Sequence, residues 1–351
     1  MTRATLISVP GMVRIKPGAL ERLGLYLRRN GHVRVLALTS QGLPTQVLEM
    51  AQASLAAETV KADWVVVDDN SFEDAARLFG EMPKLVTAVM GLGGGKALDM
   101  AKYIAFLARI PYYAVPTSLS NDGFCSPQSS LTLAGKRRSL AATLPEGVII
   151  DVDVCLTAPR LLWLSGVGDL VSKLTAVMDW KLSFHNTGEA VNDLAALLSD
   201  ATVHQFMARP RFDRQGMSLL GTALMLNGIA MEICGSSRPA SGSEHLVSHA
   251  LDARSARPRL HGLQVGMATY IMSLLQDGRG DAARIIHQLF QDTGFWDAIR
   301  ADPFYREEWL DAVRMAPDIK DNFFTVLSLR DCLPEIRVML DEDPALAGCF
   351  K

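Results

Sequence analysis

Three histidines in one short window of the chain have the types and spacing that could hold a metal ion. His245 and His249 are spaced i, i+4 on one face of a predicted helix, and His261 begins the next predicted helix. Two imidazoles on neighbouring helices can reach one ion, and a third ligand with an open position would make a catalytic site. Such pairs also occur on solvated helix surfaces, so the pair alone does not establish a metal site. Glu244 and Asp252 are possible further ligands, but we interpret both as surface charges.

The third candidate ligand is Asp169, in the segment GVGDLVSK at 166–173. It lies in a helix patterned for burial, and a buried carboxylate needs a strong partner. A metal ion, an arginine and a helix N-terminus would each serve, and the local sequence leaves the choice open. Lys173 lies one helical turn further on. With Arg238 and His249 it is a candidate for binding a phosphate group, which requires charged donors.

A glycine-rich turn, GLGGGK at 91–96, joins a predicted strand to a predicted helix. Backbone N–H groups of such glycines can approach a phosphate closely, and the helix N-terminus adds partial positive charge. The turn matches neither of two common motifs, because GxGxxG would need glycine at Lys96 and GxxxxGK[ST] would need Ser or Thr at Ala97. Three consecutive glycines exceed what a tight turn requires. We therefore predict a pyrophosphate site, supported by the PTS segment at 116–118, which follows the next strand at the same edge of the sheet.

The elements that must position these residues form two groups. Strands are predicted at 33–39, 63–68, 85–91, 111–115 and 147–151, helices at 18–29, 42–57, 71–81 and 95–108, and a hairpin at 130–142. Strands that alternate with helices indicate a parallel sheet with crossover helices. After about residue 157 only helical periodicity remains, with helices predicted at 159–184, 189–207, 214–235, 243–253, 261–276 and 280–292. We predict an α/β, Rossmann-like N-terminal domain at 1–156 and an all-α domain at 157–351.

Composition and charge limit the classes of function. A chain of 351 residues exceeds the usual size of a single core, which favours two domains. The net charge of -3, without a cluster of basic residues, argues against nucleic-acid binding. Five isolated cysteines without CxxC spacing favour a reduced, cytoplasmic protein. Residues 1–7 lack a signal-peptide pattern, and no uncharged apolar stretch reaches the roughly 18 residues that span a bilayer, so no membrane partner is expected.

In chain order, these motifs resemble the superfamily of iron-containing alcohol dehydrogenases, glycerol dehydrogenases and dehydroquinate synthases. The segments NDGFCSP (121–127), GDL (168–170), TAVMDW (175–180) and SRPASGSEH (237–245) look most like its sn-glycerol-1-phosphate dehydrogenase branch. The resemblance implies a dehydroquinate synthase-like fold. It also implies hydride transfer between NAD(H) or NADP(H) and a polyol phosphate or its ketone, of the sn-glycerol-1-phosphate and dihydroxyacetone phosphate type. One divalent metal ion is implied, with Zn²⁺ preferred to Fe²⁺.

The resemblance also assigns roles to individual residues. Asp169, His245 and His261 match the metal ligands of the family. The nucleotide matches are Gly93, Gly94, Gly95 and Lys96 in the pyrophosphate loop, Asp99 closing that motif, Thr117 and Ser118 as nucleotide contacts, and Ser126 in a segment facing nicotinamide and substrate. The predicted catalytic residues are His249, which matches a histidine near the substrate or its phosphate, together with Asp122 and Lys173. A proton would move through His249, Asp122 or a metal-bound water.

The chain departs from the family pattern at several positions. Asn121 stands where the dehydrogenases read SHDG, Leu263 where they read HGEQVG, and Lys173 where asparagine is expected. The first predicted strand ends in TSQ at 39–41 without an acidic residue, which leaves NAD or NADP open. Three alternatives therefore stay open: an unusual polyol or sugar phosphate substrate, a carbocycle-forming lyase of the dehydroquinate synthase type, and a non-catalytic nucleotide-binding protein. The expected partner is a small phosphorylated molecule, and a homo-oligomer is expected by analogy.

Overall fold

The computed structural model describes residues 7–351, so the predictions about residues 1–6 lie outside the described part. The chain divides into two compact units, the first ending at Ala158 and the second beginning at Pro159. The sequence analysis places the boundary between residues 156 and 157, close to this division. That the first unit binds the nucleotide and the second the metal stays a prediction.

A parallel sheet forms the centre of the first unit. The described strands of the first unit are β1 (Met12–Lys16), β2 (Arg34–Ser40), β3 (Lys61–Val67), β4 (Ala88–Gly93), β5 (Tyr112–Pro116), β6 (Gln128–Leu133), β7 (Lys136–Ala141) and β8 (Gly147–Asp151). Six of them form the sheet in the order β1-β8-β5-β4-β2-β3, and β6 and β7 form a separate antiparallel hairpin. Strands β4, β5 and β8 are buried along their whole length, as expected for parallel strands covered on both faces.

The helices of the first unit follow the predicted alternation. They are α1 (Leu23–Arg29), α2 (Thr45–Ala57), α3 (Phe72–Gly80), α4 (Gly95–Ala108) and α5 (Val152–Thr157), with short 3₁₀ helices at Leu20–Arg22 and Asp122–Cys125. The predicted helix at 18–29 is wrong in its first turn, because Gly18 belongs to a turn and residues 20–22 form a 3₁₀ helix. Strand β1 is missing from the prediction. This strand is short and lies between two Pro-Gly pairs, at 10–11 and 17–18. Its pairing partner β8 is distant in the chain.

The order of strands creates a reversal point next to β2. The chain runs from β2 outward to β3 and then returns to β4 on the other side of β2. In open parallel sheets, ligands bind outside the carboxyl ends of the strands at such a point. The carboxyl ends of β2 and β4, with β5 beside β4, are therefore the expected place for a nucleotide.

The second unit is helical, as predicted. Its described helices are α6 (Arg160–Thr187), α7 (Asp193–Met207), α8 (Arg214–Cys234), α9 (Ser243–Arg254), α10 (His261–Asp277), α11 (Asp281–Thr293), α12 (Phe295–Ala301), α13 (Arg306–Met315) and α14 (Leu333–Glu342). Short 3₁₀ helices lie at Ala316–Asp318, Val326–Ser328 and Pro344–Leu346. Helix α6 packs against α10 and α7, and α9 packs against α10 and α13. The most buried face of α6 is therefore covered by α10.

Two helices of the second unit, α6 and α8, are long and apolar enough to cross a membrane by length and composition alone. In the most apolar window of each helix, 83% of the residues of α6 and 56% of those of α8 are buried inside the protein. Core helices of soluble proteins pass the same test, so the two helices are weak evidence for a membrane span.

Helices α6 and α10 cross at a contact made by glycines. A Cβ atom on Gly168 would lie 1.9 Å from the carbonyl oxygen of Gly262, and a Cβ on Gly262 would lie 1.8 Å from the carbonyl oxygen of Ser165. The backbone N–H of Gly262 donates to Ser165 Oγ at 3.1 Å, which satisfies an amide that has no partner within the first turn of α10. The two backbones therefore touch where Asp169 and His261 are located.

Candidate metal centre

Asp169, His245 and His261 come together from three different helices. Asp169 lies in the first half of α6, His245 in the first turn of α9, and His261 is the first residue of α10. One ligand atom of each lies within 4.8 Å of the others. Asp169 Oδ1 is 3.5 Å from His245 Nε2 and 3.8 Å from His261 Nε2. A set of two imidazoles and one carboxylate around a single point suits a divalent ion with open positions, while metal binding itself stays a prediction.

The two imidazole rings are oriented by partners on their other nitrogen. His245 Nδ1 lies 2.9 Å from Glu244 Oε1, and His261 Nδ1 lies 3.1 Å from Ser248 Oγ. A histidine that binds metal through one nitrogen typically donates its other N–H to a carboxylate, carbonyl or hydroxyl. Both Nε2 atoms therefore face Asp169, which is the arrangement that a shared ion requires.

The carboxylate of Asp169 is buried beside a buried cation. Lys173 Nζ lies 3.6 Å from Asp169 Oδ2, and neither side chain is more than 1% exposed. Burial by itself raises the pKa of Asp169, but the charge of Lys173 and the hydrogen bond from His245 hold that pKa well below its usual range. The carboxylate is thus ionised and ready to act as a ligand.

Lys173 pairs with the carboxylate of Asp169 in the structure. Its ammonium group also lies 3.3 Å from the carbonyl oxygen of Ala240 and 3.4 Å from Ser172 Oγ, and the side chain is wholly buried. These contacts support a role in balancing the charge of Asp169. Contact between Lys173 and a substrate phosphate has no support from this burial, and the catalytic assignment of Lys173 stays a prediction.

The interpretation of Glu244 as a surface charge is wrong. Its side chain is fully buried, and it accepts hydrogen bonds from the backbone N–H of Gly242 at 2.6 Å and from Thr175 Oγ1 at 2.9 Å. A glutamate in the first turn of a helix is usually exposed, and only the packing of α9 against α6 buries this one. Asp252, the other interpreted surface charge, is half-buried and accepts a hydrogen bond from Gln264 Nε2 at 2.9 Å.

A second buried carboxylate, Asp179, holds the start of α9, and the sequence analysis does not single it out. It accepts hydrogen bonds from the backbone N–H groups of Ser243 at 2.7 Å and of Val326 at 2.8 Å. Burial and the nearby charge of Glu244 raise the pKa of Asp179 to about 6. Negative groups near a helix N-terminus are favourable. Asp179 therefore anchors the helix that carries His245 without contacting the histidine.

His249 and Arg238 differ sharply in their surroundings. The His249 ring is exposed, and its centroid lies 6.4 Å from that of His245 and 5.9 Å from that of His261. Arg238 is buried. Its guanidinium donates to both carboxylate oxygens of Glu189 and to the carbonyl oxygen of Phe324. These contacts give Arg238 a structural role, so the prediction that it binds a phosphate is not supported, whereas His249 lies beside the candidate metal ligands.

In the first unit, the glycine turn lies at the reversal point of the sheet. The backbone N–H of Gly94 donates to Ser40 Oγ, at the end of β2, at 2.8 Å, and the N–H of Thr117 donates to the carbonyl oxygen of Gly93 at 3.1 Å. Gly93 has a φ of +141°, and a Cβ there would lie 2.3 Å from Ser40 Oγ. The ends of β2, β4 and β5 are thereby joined at the edge where a nucleotide is expected.

The first turn of α4 is open to solvent. Gly95 and Lys96 are exposed, and among residues 7–351 no side chain caps the N-terminus of this helix. A Cβ on Gly95 would meet no atom within 4 Å, so packing does not require glycine at this position. A bare backbone with unpaired amides is what a pyrophosphate needs. Ser118 is half-buried next to this edge, and the nucleotide roles of these residues stay predictions.

A buried lysine that the sequence analysis missed connects α4 to the predicted nicotinamide segment. Lys102 Nζ donates to the carbonyl oxygens of residues 123 and 128 at 2.5 and 2.6 Å, and it lies 3.3 Å from Ser126 Oγ and 3.4 Å from Asp99 Oδ1. Burial lowers the pKa of Lys102 and raises that of Asp99. The i, i+3 spacing of Asp99 and Lys102 was the available signal. The half-buried Asp122 begins the 3₁₀ turn of this segment.

Known proteins are similar in sequence to most of this chain. A family model described as iron-containing alcohol dehydrogenase matches residues 14–159. The chain is 35% identical over 331 residues to the glycerol-1-phosphate dehydrogenase [NAD(P)+] of Methanothermobacter thermautotrophicus, covering 92% of this chain and 94% of the relative. It is 37% identical over 276 residues to that of Metallosphaera sedula, covering 77% and 78%. The chain belongs to the glycerol-1-phosphate dehydrogenase family. The predicted family is thus confirmed.

The fold of this glycerol-1-phosphate dehydrogenase family member is also that of a solved relative. The crystal structure of glycerol dehydrogenase from Schizosaccharomyces pombe has a TM-score of 0.70 and 17% sequence identity, covering 95% of this chain and 91% of that one. At this identity the likeness concerns the fold alone. It confirms the predicted fold class, with an α/β first part and an all-α second part.

Proposed function

We propose that this chain is a metal-dependent, NAD(P)-linked dehydrogenase that interconverts a polyol phosphate and its ketone, of the sn-glycerol-1-phosphate and dihydroxyacetone phosphate type. The observation that carries the proposal is a set of three ligand atoms within 4.8 Å, in a chain whose relatives bear that enzyme name. Zn²⁺ is preferred to Fe²⁺ as the ion. The proposal includes a homo-oligomer in the cytoplasm, and the five free cysteines suit a reducing compartment.

The proposed chemistry is reversible hydride transfer, in which an alcohol and NAD(P)⁺ give a ketone, NAD(P)H and a proton. A divalent ion held by Asp169, His245 and His261 supplies a Lewis acid for the substrate oxygen. The backbone amides of the glycine turn bind the pyrophosphate, and the segment tied down by Lys102 orients the nicotinamide end. Lys102 has an indirect role in this proposal, because it positions the segment and does not itself contact the nicotinamide.

The proton of the alcohol needs a carrier, and we assign it to His249. An imidazole can both accept and donate a proton, and general acid–base catalysis of this kind contributes about 10²–10⁴-fold to a rate. The His249 ring is exposed and lies next to both metal-binding rings. Lys173 is wholly buried against Asp169, which makes proton exchange with solvent through it unfavourable.

A His249→Ala variant is expected to keep its metal, because no metal ligand is removed. It should lose about 10²-fold or more of kcat, because the proton carrier is removed. The measurements are metal content by atomic absorption and initial rates from absorbance at 340 nm. His204→Ala, which removes an exposed histidine of α7, is the matched control and should behave as wild type. Loss of metal from the His249 variant would place this residue among the ligands, and an unchanged kcat would remove it from the proton path.

The function itself is tested by a substrate panel. Purified enzyme with dihydroxyacetone phosphate and NADH or NADPH is expected to consume the reduced cofactor, to stop after EDTA treatment and to recover on addition of Zn²⁺ or Fe²⁺. Activity only with other ketose phosphates would point to an unusual polyol or sugar phosphate. Product formed without net change in NADH would favour the carbocycle-forming lyase, and a reaction unaffected by EDTA would contradict the metal site. Protein without metal and without turnover would indicate a non-catalytic nucleotide-binding protein.

A further inference from the structure

The two candidate histidine ligands differ in what holds their second ring nitrogen. His245 Nδ1 faces the carboxylate of Glu244 at 2.9 Å, whereas His261 Nδ1 faces the hydroxyl of Ser248 at 3.1 Å. A hydrogen bond with an ionised partner is roughly twice as strong as one between neutral groups. His245 is therefore the more firmly held of the two rings.

Glu244 is itself locked in place at both oxygens. Oε1 accepts from the backbone N–H of Gly242 at 2.6 Å, and Oε2 accepts from Thr175 Oγ1 at 2.9 Å. The side chain has no exposed surface, so no water competes for these positions. A Cβ on Gly242 would lie 2.9 Å from Glu244 Oε2, so a glycine is needed for this close approach. The carboxylate thus has one orientation, and that orientation faces His245.

We propose that Glu244 is a positioning residue of the metal centre, which acts through His245 and does not touch the substrate. By accepting the Nδ1 proton of His245, it keeps the lone pair of Nε2 directed at the point shared with Asp169 and His261. This inference rests on the metal site of the proposed function. It assigns a role in that site to a residue outside the ligand set.

Glu244→Gln is the sharpest test, since the amide fits the same contacts. Its oxygen can accept from Gly242 and His245, and its NH₂ group can donate to Thr175 Oγ1, whose own hydrogen can turn to the carbonyl oxygen of Ser172 at 3.0 Å. Only the negative charge is lost. We expect the Kd of the apo-protein for Zn²⁺, measured by chelator competition, to rise about 10–100-fold, with little change in the melting temperature of the apo-protein.

Asp179→Asn is the matched control. Asp179, on α6, is also a buried carboxylate that holds the start of α9, but its hydrogen bonds come from Ser243 and Val326 and none comes from His245. This variant should melt at a lower temperature and bind Zn²⁺ like the wild type. The visible absorption of the Co²⁺-substituted protein should change in the Glu244 variant and not in the Asp179 variant, because only the first changes the hydrogen-bond partner of a ligand, His245.

The outcomes separate this inference from the proposed function. Wild-type protein that binds no Zn²⁺ would overturn the metal site and the inference together. Zn²⁺ binding by the wild type with an equal Kd for Glu244→Gln, or an equal loss in Asp179→Asn, would overturn the inference alone. Should the Glu244 variant fail to fold, ¹⁵N-histidine NMR of the zinc-loaded wild type decides: a proton on His245 Nδ1 and metal on Nε2 are expected, and the reverse would contradict the proposal.

Discussion

A His261→Ala variant is expected to lose its bound metal and about 10³-fold or more of kcat/KM. Lewis-acid catalysis by a metal is worth several kcal/mol of transition-state stabilisation, and each 1.4 kcal/mol corresponds to about tenfold in rate. The truncation leaves Asp169 and His245 as a pair, which is one ligand short of a catalytic site. Metal content after gel filtration and rates at 340 nm measure the two losses.

The helical fold should survive this change, because His261 is half-buried at the first position of α10 and the amide of Gly262 keeps its bond to Ser165. Far-ultraviolet circular dichroism therefore serves as the check on folding, and the exposed His204→Ala as the control for losing a histidine. Wild-type metal content and turnover in the His261 variant would show that a different residue is the third ligand.

A Gly262→Ala variant is expected to lose about 3 kcal/mol of folding free energy and most of its affinity for metal. The added Cβ would lie 1.8 Å from a backbone oxygen of α6 and 2.8 Å from Ser165 Oγ, so α10 must move away by more than 1 Å. Ligand distances at metal sites are held to about 0.2 Å. Because Asp169 and His261 belong to the two helices that would separate, a loss of stability and a loss of metal are expected together.

Urea unfolding of the apo-protein and chelator competition with Zn²⁺ measure the two effects of Gly262→Ala. Gly80→Ala is the control, since a Cβ at the exposed end of α3 would meet no atom within 4 Å. A Gly262→Ala protein with wild-type stability would show that the two helices do not touch as described. Wild-type stability in the control, with loss in the variant, assigns the effect to the helix crossing.

The parts of the fold that depend on local pattern could be predicted. The alternation of strands and helices up to about residue 157, and the helices after it, follow from hydrophobic periodicity within each segment, and their ends differ from the structure by only a few residues. Strand β1 could not be predicted in the same way, because its hydrogen bonds are made with β8, more than a hundred residues away. Pairing over such distances is a property of the folded chain.

At the candidate nucleotide edge, too, some features could be predicted from the sequence and others could not. The glycine turn could be predicted as a pyrophosphate site from its composition, since three consecutive glycines before a helix exceed what a tight turn requires. The part played by Ser40 could not be predicted, because its hydroxyl meets Gly94 only after β2 and β4 become neighbours. The spacing of Lys102 from Asp99 could have indicated an ion pair, but nothing in the local sequence predicts the backbone carbonyl oxygens that Lys102 contacts in the fold.

The sequence by itself determined only the candidates for metal binding: the side-chain types of Asp169, His245 and His261 suit a metal ion, and the resemblance to a known superfamily selected these three as the set. Only the tertiary structure decided how these groups are held. The burial of Glu244, the pairing of Arg238 with Glu189 and the glycine contact between α6 and α10 all depend on segments that are distant in the chain. The burial of a side chain and its hydrogen-bond partners set its charge and orientation. Burial and partners are fixed only when the helices pack together.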